Sequence, residues 1–289
     1  MSTTLHFSSE SENGWDRYSV LMPRLYGPSR GVRACKVAIA VGSLLLMGWI
    51  FWYLDIGPVR IIRGIGDLGW MLPMLFPPTH GGWFADFAHG LGETLAMAFL
   101  GTLFGAILAM PIGFLAAKTI VQNGLVRGIV RRAIDFIRGI NILIWALMFV
   151  HVVGLGPFAG IMAITIADAA TLAKLYSETI ENVDRKQIEG VRSTGASRVQ
   201  IVRYGFLPQV VPIMLSNILY FFESNVRSAS VLGVLGAGGL GMQLHDRIRI
   251  MDWQQVSFIV IMILITVAIV DAISRSLRQR IIANPEYRP

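Results

Sequence analysis

The chain contains one long polar stretch between apolar segments, EGVRSTGASRVQIVRYGFLP, which runs from Glu189 to Pro208. Within it, apolar residues recur at three- and four-residue steps, the spacing of amphipathic helices. Gly195 and Ala196 lie between the two periodic parts, and small residues here allow the chain to turn and another surface to approach closely. The pattern predicts two short amphipathic helices joined at Gly195–Ala196, followed at once by a new apolar run.

This polar stretch is basic. Six basic residues lie in it or just before it: Lys174, Arg185, Lys186, Arg192, Arg198 and Arg203. A basic amphipathic segment beside apolar runs is typical of a helix that lies on anionic lipid. The alternative is a platform that binds a protein partner. Amphipathicity and charge alone leave both interpretations open.

The composition indicates a membrane protein without catalytic chemistry of its own. Of the 289 residues, 54% are hydrophobic and 15% are charged, which is too apolar for an ordinary soluble domain. The net charge of +7 comes without an aromatic-interleaved basic patch, so we expect no nucleic-acid partner. A single cysteine and scattered histidines argue against a metal site. The chain has neither a G-x-x-x-x-G-K-[ST] phosphate loop nor a convincing catalytic constellation.

Long apolar runs predict an all-α, polytopic membrane protein with about six transmembrane helices. The predicted spans are residues 37–54, 89–117, 138–153, 157–176, 209–226 and 255–273. Between the first two spans we expect an amphipathic helix on the outer surface and then a turn. The predicted organisation is a cytoplasmic tail (1–36), a first span with an external segment (37–88), a core (89–275) that includes the polar loop 178–208, and a cytoplasmic tail (276–289).

The distribution of basic residues predicts the orientation. With six spans and the N-terminus inside, 20 of the 25 lysines and arginines fall in segments on the inner side. Because cytoplasmic segments of membrane proteins are enriched in Lys and Arg, both termini and the Glu189–Pro208 stretch are expected in the cytoplasm.

Several polar residues within or beside the spans are candidates for function. Asp168 lies near the middle of the fourth span, where an ionisable residue is a functional candidate by default, although local bonding to Thr165 and Thr171 is the favoured alternative. Glu223 and Arg227 are four residues apart at the predicted outer end of the fifth span, so they could pair on one helical face.

Glycine-rich segments are a second feature of the core. In the second span, glycines and alanines predict close helix packing in lipid. Glu93 at that span's outer end is interpreted as an interfacial charge. Residues 228–244 contain Gly236-x-Gly238-x-x-Gly241, but no strand–turn–helix unit surrounds this dinucleotide-type pattern. We expect this segment to hold non-helical backbone that faces a cavity or a partner.

The polar stretch resembles the EAA loop of permease subunits of ABC importers. The glutamate, the glycine six positions later and the Leu207-Pro208 pair are in register. Two departures are present: Gly190 and Val191 follow the glutamate where alanines are usual, and Gly205 stands where a hydrophobic residue is usual.

The resemblance extends over about residues 90–275. The segment RGINILIWA (138–146) is similar to the R-S-I-P-E-L-V-W-A stretch of phosphonate importer permeases, with Asn141 and Ile142 in place of the proline and the glutamate. Further matching stretches are GETL (92–95), PIG (111–113), GLGPFAG (154–160), KLYSE (174–178), ESNVRSASVLG (223–233) and GAGG (236–239).

This resemblance implies an ABC importer permease fold and a partner-driven machine. Two permease copies would form a homodimer around the translocation path, two ATP-binding subunits would dock from the cytoplasm, and a periplasmic or extracellular solute-binding protein would deliver the substrate. The permease itself would bind no cofactor, because ATP and Mg would be held by the ATPase. The expected location is the bacterial inner membrane.

The resemblance also implies roles for individual residues. Residues expected to couple to the ATPase are Glu189, Gly190, Arg192, Gly195, Ala196, Arg198, Arg203, Leu207 and Pro208. Residues expected to line the path or gate are Arg138, Asp168, Glu223, Asn225, Arg227, Gly236, Gly238 and Gly239. The expected substrate is a phosphonate or a related oxyanion such as phosphite or phosphate. The alternatives are a methionine-like amino acid as substrate, or an ATP-independent channel or membrane-bound scaffold.

Overall fold

The computed structural model describes residues 30–55 and 57–283. Its described residues contain helices and connecting turns, with no strand. The helices are α1 Arg30–Tyr53, α2 Pro58–Met74, α3 Phe84–Ala116, α4 Gly124–Arg138, α5 Ile142–Val153, α6 Pro157–Glu181, α7 Arg185–Ser193, α8 Leu207–Leu232, α9 Gly239–Arg249 and α10 Trp253–Ala283. The all-α prediction is confirmed.

Five helices in the described residues are long and apolar enough to cross a membrane, and a bent pair of helices raises the number to six. This confirms the prediction of about six spans. The bent pair is α4 and α5, whose axes differ by 84°. A single span over 138–153 was therefore wrong in detail. The helix breaks after Arg138, and Asn141 starts α5 by accepting a hydrogen bond from the Leu143 N–H at 2.9 Å.

The chain divides into two compact units, residues 1–71 and 72–289. The first unit contains α1, whose apolar part runs from Ala34 to Tyr53, and most of α2. A helix in the segment 55–88 is thus confirmed, and a turn at Gly81 and Gly82 follows it. The predicted tails lie largely outside the described residues, which begin at 30 and end at 283.

The core of the second unit is the close packing of α3 on α6. Three glycines of α3 lie directly against α6. A Cβ atom added to Gly101 would come within 2.6 Å of Ile164, one on Gly105 within 2.7 Å of the Asp168 Cβ, and one on Gly113 within 2.9 Å of the Tyr176 Cβ. Because lipid supplies no hydrophobic force between helices, this backbone proximity is what allows van der Waals packing. The sequence prediction for the second span is confirmed.

The spans at the C-terminal side are longer than the apolar runs predict. Helix α8 ends at Leu232 and continues as a π-helical segment Gly233–Ala237, and α10 extends to Ala283. The predicted end of the fifth span near residue 226 was therefore wrong. Glu223 and Arg227 lie within an apolar helical run, Ile201–Ala237, rather than at its end.

Candidate functional site

The first half of the polar stretch lies in one short helix. Helix α7 starts where the Asp184 carboxylate accepts a hydrogen bond from the Lys186 N–H at 2.9 Å, an N-cap that offsets an unpaired helix-end donor. It ends at Ser193 with Thr194 as its C-cap, and Gly195 follows with φ = +80°. Nothing lies within 4 Å of a Cβ position on Gly195. Glycine is therefore favoured here by the left-handed backbone, and the space beside it is open.

The second half of the stretch differs from the prediction of a separate amphipathic helix. A helical turn, Arg198–Gln200, leads into a π-helical segment, Ile201–Phe206, which runs without a break into α8. The π geometry is closed by the Leu207 N–H, which donates to the Val202 carbonyl. The stretch thus consists of one short helix and an extension of α8. The side chain of Arg198 lies outside the described part of the structure.

Gly205 explains one departure from the EAA pattern. It is buried, and a Cβ atom there would lie 3.3 Å from the Cα of Ile188 and 3.7 Å from a methyl of Val191. The absence of a side chain lets α7 lie against the π-helical segment at backbone distance. The position where a hydrophobic residue is usual thus serves as a contact surface for α7 in this chain.

A glutamine fastens α7 to α8. The Gln209 Oε1 accepts a hydrogen bond from the Asp184 N–H at 3.0 Å, and its Nε2 donates to the Gly205 carbonyl at 2.7 Å and to the Asp184 carbonyl at 3.4 Å. One side chain therefore holds both the start of α7 and the last turn before α8. Gln209 was not among the predicted site residues, although its place directly after Leu207-Pro208 was visible in the sequence.

The remaining predicted coupling residues form a mostly exposed surface. Glu189, Gly190 and Arg192 lie exposed on α7, and Ala196 is half-buried. Arg203 is exposed and its guanidinium lies 5.7 Å from the ring centre of the neighbouring Tyr204. Leu207 is exposed, and Pro208 is half-buried in the first turn of α8.

A glutamate missed by the sequence analysis joins the ends of two helices to the middle of a third, beside α7. Glu181, the last residue of α6, accepts hydrogen bonds through Oε1 from the Lys118 N–H and from Arg131 Nη2. Arg131 also donates through Nε to the Ala116 carbonyl at 3.0 Å. These bonds tie the ends of α3 and α6 to α4. A cavity of about 450 Å³ separates this cluster from α7, with Glu181, Arg185, Glu189 and Arg192 among its lining residues.

The middle of the helical bundle holds a buried polar cluster. Asn225 on α8 donates through Nδ2 to Asp168 Oδ2 on α6 and to Thr102 Oγ1 on α3, the latter at 2.8 Å. All three side chains are buried. The expectation that Asp168 bonds Thr165 and Thr171 was wrong, because those hydroxyls donate to the carbonyls of Gly101 and Ala167.

Glu223 and Arg227 lie on another part of α8. Glu223 accepts a hydrogen bond from Arg278 Nη2 of α10 at 2.7 Å, and its other oxygen is 3.9 Å from Arg227 Nη2. The predicted pair with Arg227 is thus present at longer range, and the nearer partner is Arg278. Arg138, the remaining arginine predicted for the path, is exposed at the end of α4.

The glycine-rich segment forms the turn between α8 and α9. Gly236, Gly238 and Gly239 have φ values of +96°, +78° and +69°, which favour glycine. The Gly236 carbonyl accepts from the Gly156 N–H at 3.0 Å. Glu93 accepts from the Gly239 N–H at 2.9 Å, and Thr94 Oγ1 accepts from the next N–H in the chain, also at 2.9 Å. Glu93 is thus a helix cap for α9, a role that the sequence analysis missed.

Residues 109–283 match the family model of the binding-protein-dependent transport system inner membrane component. A phosphite transport system permease protein of Stutzerimonas stutzeri is 33% identical over 244 residues, which cover 84% of this chain and 88% of that protein. The chain belongs to this family. A phosphate-import permease protein of Mycolicibacterium smegmatis is 32% identical over 81% of this chain and 44% of that protein.

The solved structures agree on the fold of this permease. The methionine transporter MetNI in an inward-facing conformation has a chain that superposes with a TM-score of 0.60 at 23% identity, covering 70% of the permease and 99% of that chain. The permease is a multi-pass inner-membrane protein of the phosphonate type of ABC importer permeases. Members of this family work with an ATP-binding subunit and a solute-binding protein and are not enzymes themselves.

Proposed function

We propose that this permease is the membrane subunit of an ATP-driven importer for a phosphorus oxyanion, with phosphite, phosphonate and phosphate as the candidate substrates. The observation that supports the importer is the short exposed helix α7 with its open, left-handed Gly195, in the position of the EAA loop. The names of its relatives, a phosphite and a phosphate transport permease, support the substrate class.

The exposed face of α7 is suited to receive the ATPase. Glu189 and Arg192 offer charged groups, and the empty space beside Gly195 lets a partner surface approach the backbone closely. Gln209 links this helix directly to α8, and the cluster at Glu181 lies across the neighbouring cavity. A displacement of α7 would therefore move the start of α8, a helix that also takes part in the buried polar cluster.

In the proposed cycle two permease copies enclose the path and two ATPase subunits bind the α7 segments from the cytoplasm, where both termini of the chain also lie. ATP and Mg are bound by the ATPase and not by the permease. A solute-binding protein delivers the anion on the outer side. ATP binding brings the ATPase subunits together and shifts the population towards the outward-open permease, and hydrolysis resets it.

The test is the ATPase activity of the complex formed when the permease is co-expressed with its ATP-binding subunit and reconstituted in lipid. The binding protein is added empty or loaded with phosphite, phosphate, a phosphonate or methionine. We expect one of the three phosphorus oxyanions in its loaded binding protein to stimulate hydrolysis well above the empty protein. Stimulation by methionine alone would overturn the substrate class.

Co-purification provides the second arm of this test. The importer function requires that the ATPase remains bound to the permease through detergent extraction and size-exclusion chromatography. A permease that carries no ATPase, and that passes anions down their gradient without ATP, would be the ATP-independent channel.

A further inference from the structure

Three charged side chains meet between α8 and α10. The Glu223 carboxylate lies 2.7 Å from Arg278 Nη2 and 3.9 Å from Arg227 Nη2. The Arg278 guanidinium also lies 5.8 Å from the ring centre of Tyr220. Glu223 is 13% exposed and Arg278 is 24% exposed, whereas the Arg227 side chain is 63% exposed. Arg278 is thus held in place by its neighbours, whereas the side chain of Arg227 makes few packing contacts.

The charges in this cluster do not cancel. Throughout the residues that the structure describes, Glu223 is the one carboxylate within 4 Å of either guanidinium. One carboxylate and two guanidinium groups leave a single positive charge. Because Arg278 has the short, hydrogen-bonded contact with Glu223, the excess charge resides on Arg227.

The excess charge on Arg227 lies within a span, where charged residues are rare. Arg227 lies within the apolar helical run Ile201–Ala237. Asn225, two residues earlier, is buried against α3 and α6, so α8 presents a packed face and a charged face at the same level. An uncompensated charge at such a position in a span is costly unless it faces water or a polar cavity, and such residues mark ion and substrate paths.

We propose that Arg227 is a transient binding site for the transported phosphorus oxyanion, with Arg278 and Glu223 setting its strength. This proposal rests on the proposed function. A guanidinium binds phosphoryl oxygens in a bidentate manner, which suits this substrate class. The Glu223 carboxylate beside it repels the same anion and weakens the site. A transport path needs such weak sites, because the ion must leave as readily as it enters.

The experiment uses the complete complex in proteoliposomes, with binding protein outside that is loaded with phosphite, phosphate or a phosphonate in turn, and uptake of the labelled anion as the readout. The single native cysteine is first replaced, Cys35→Ser, and Arg227→Cys is made in that background. We expect Arg227→Cys to lower the uptake rate about tenfold, the loss of one charge-assisted interaction. Arg280→Gln, which removes an exposed arginine of α10, serves as the matched control and is expected to keep its uptake.

Chemical restoration of the charge separates an anion site from a folding defect. A methanethiosulfonate reagent that adds an ammonium group to the introduced thiol is expected to recover most of the uptake in the same protein sample. A reagent that adds a sulfonate is expected to lower uptake further. Uptake by Arg227→Cys at the level of its parent, or equal effects of the two reagents, would overturn the proposal. If the parent takes up none of the phosphorus oxyanions, the proposed function fails instead.

Discussion

The core and the coupling loop are held together to different degrees by packing and by polar bonds. At the contact of α3 with α6, glycine backbone lies directly against side chains, so that a single added carbon would approach to 2.6–2.9 Å. In α7 no residue is buried, and the helix is anchored at its start by the hydrogen bonds of Gln209 and along its length by the close approach of Gly205 to Ile188.

This difference indicates which parts can move relative to one another. Steric contact between backbones cannot shift gradually without collision or loss of packing, so α3 and α6 are expected to move as one body. Helix α7 is connected to that body through the polar bonds of Gln209, which have a modest net strength, and through the approach of Gly205 to Ile188, which at 3.3 Å is looser than the contacts of α3 with α6. Helix α7, which is proposed to receive the ATPase, is thus attached more weakly to the rest of the protein than α3 and α6 are to each other.

The largest effect is expected from Gly105→Val. Its added Cβ would lie 2.7 Å from the Asp168 Cβ, so α3 and α6 must separate, at a cost of about 3 kcal/mol or more. We expect little folded permease by detergent size-exclusion chromatography. Gly92→Val on the same helix is the control, because nothing lies within 4 Å of its Cβ position. Equal yields of the two variants would contradict glycine packing as the basis of the core.

The next effect is expected from Gly195→Trp. The substitution leaves the core intact but strains a left-handed residue and fills the space proposed for the ATPase. We expect a normal yield of permease with loss of the co-purifying ATPase. Gly195→Asn, which tolerates positive φ, is expected to retain most of the attachment. Normal assembly of the tryptophan variant would show that the partner binds elsewhere.

Much of this fold could be predicted from the sequence. Apolar runs located the spans because a helix in lipid must be apolar over about 20 residues. Small residues along the second span indicated close packing, and Gly195 indicated a turn. The break between α4 and α5 was hidden, because Asn141 occupies the place of a proline in the resembling motif. Its φ of −65° suits either residue, and its side chain adds the N-cap.

The polar contacts could not be predicted, for a physical reason. Asn225, Asp168 and Thr102 come from three separate helices, and their meeting depends on the rotation of each helix about its axis. Glu181 and Gln209 were overlooked because exposed-looking polar residues at helix ends are ordinary in any sequence. Glu223 was assigned to the end of a span because residues 227–232 were not recognised as a continuation of α8.

Disrupting the buried polar cluster of Asn225, Asp168 and Thr102 is expected to destabilise the permease by an intermediate amount. Asn225→Leu removes both donors from Asp168 and Thr102, and we expect about 2 kcal/mol of destabilisation in thermal or denaturant unfolding of the purified permease. The double variant Asn225→Ala with Asp168→Ala should lose less than the sum of its single variants, by about 1 kcal/mol. Strict additivity would mean that the two side chains do not interact in the folded protein.

Gln209→Leu is expected to have the smallest effect on stability. It tests directly how the attachment of α7 differs from the packing of the core. Removing the three hydrogen bonds frees the start of α7 from α8 at a cost of about 1 kcal/mol. Because the two bonds to Asp184 join α7 to α8 and not the core to itself, ATPase attachment is expected to persist while its stimulation by loaded binding protein falls severalfold. Gln254→Leu, at an exposed glutamine of α10, is the control.

Gln209→Glu distinguishes which bonds of this side chain matter. The carboxylate still accepts from the Asp184 N–H but cannot donate to the Gly205 and Asp184 carbonyls. If α7 is held mainly through the bond that Gln209 donates to the Asp184 carbonyl, this variant should behave as Gln209→Leu does. Full stimulation in Gln209→Glu would assign the attachment to the Asp184 N–H alone. Full stimulation in both variants would mean that the steric contact at Gly205 suffices, and that the loop is fastened by the same backbone packing as the core.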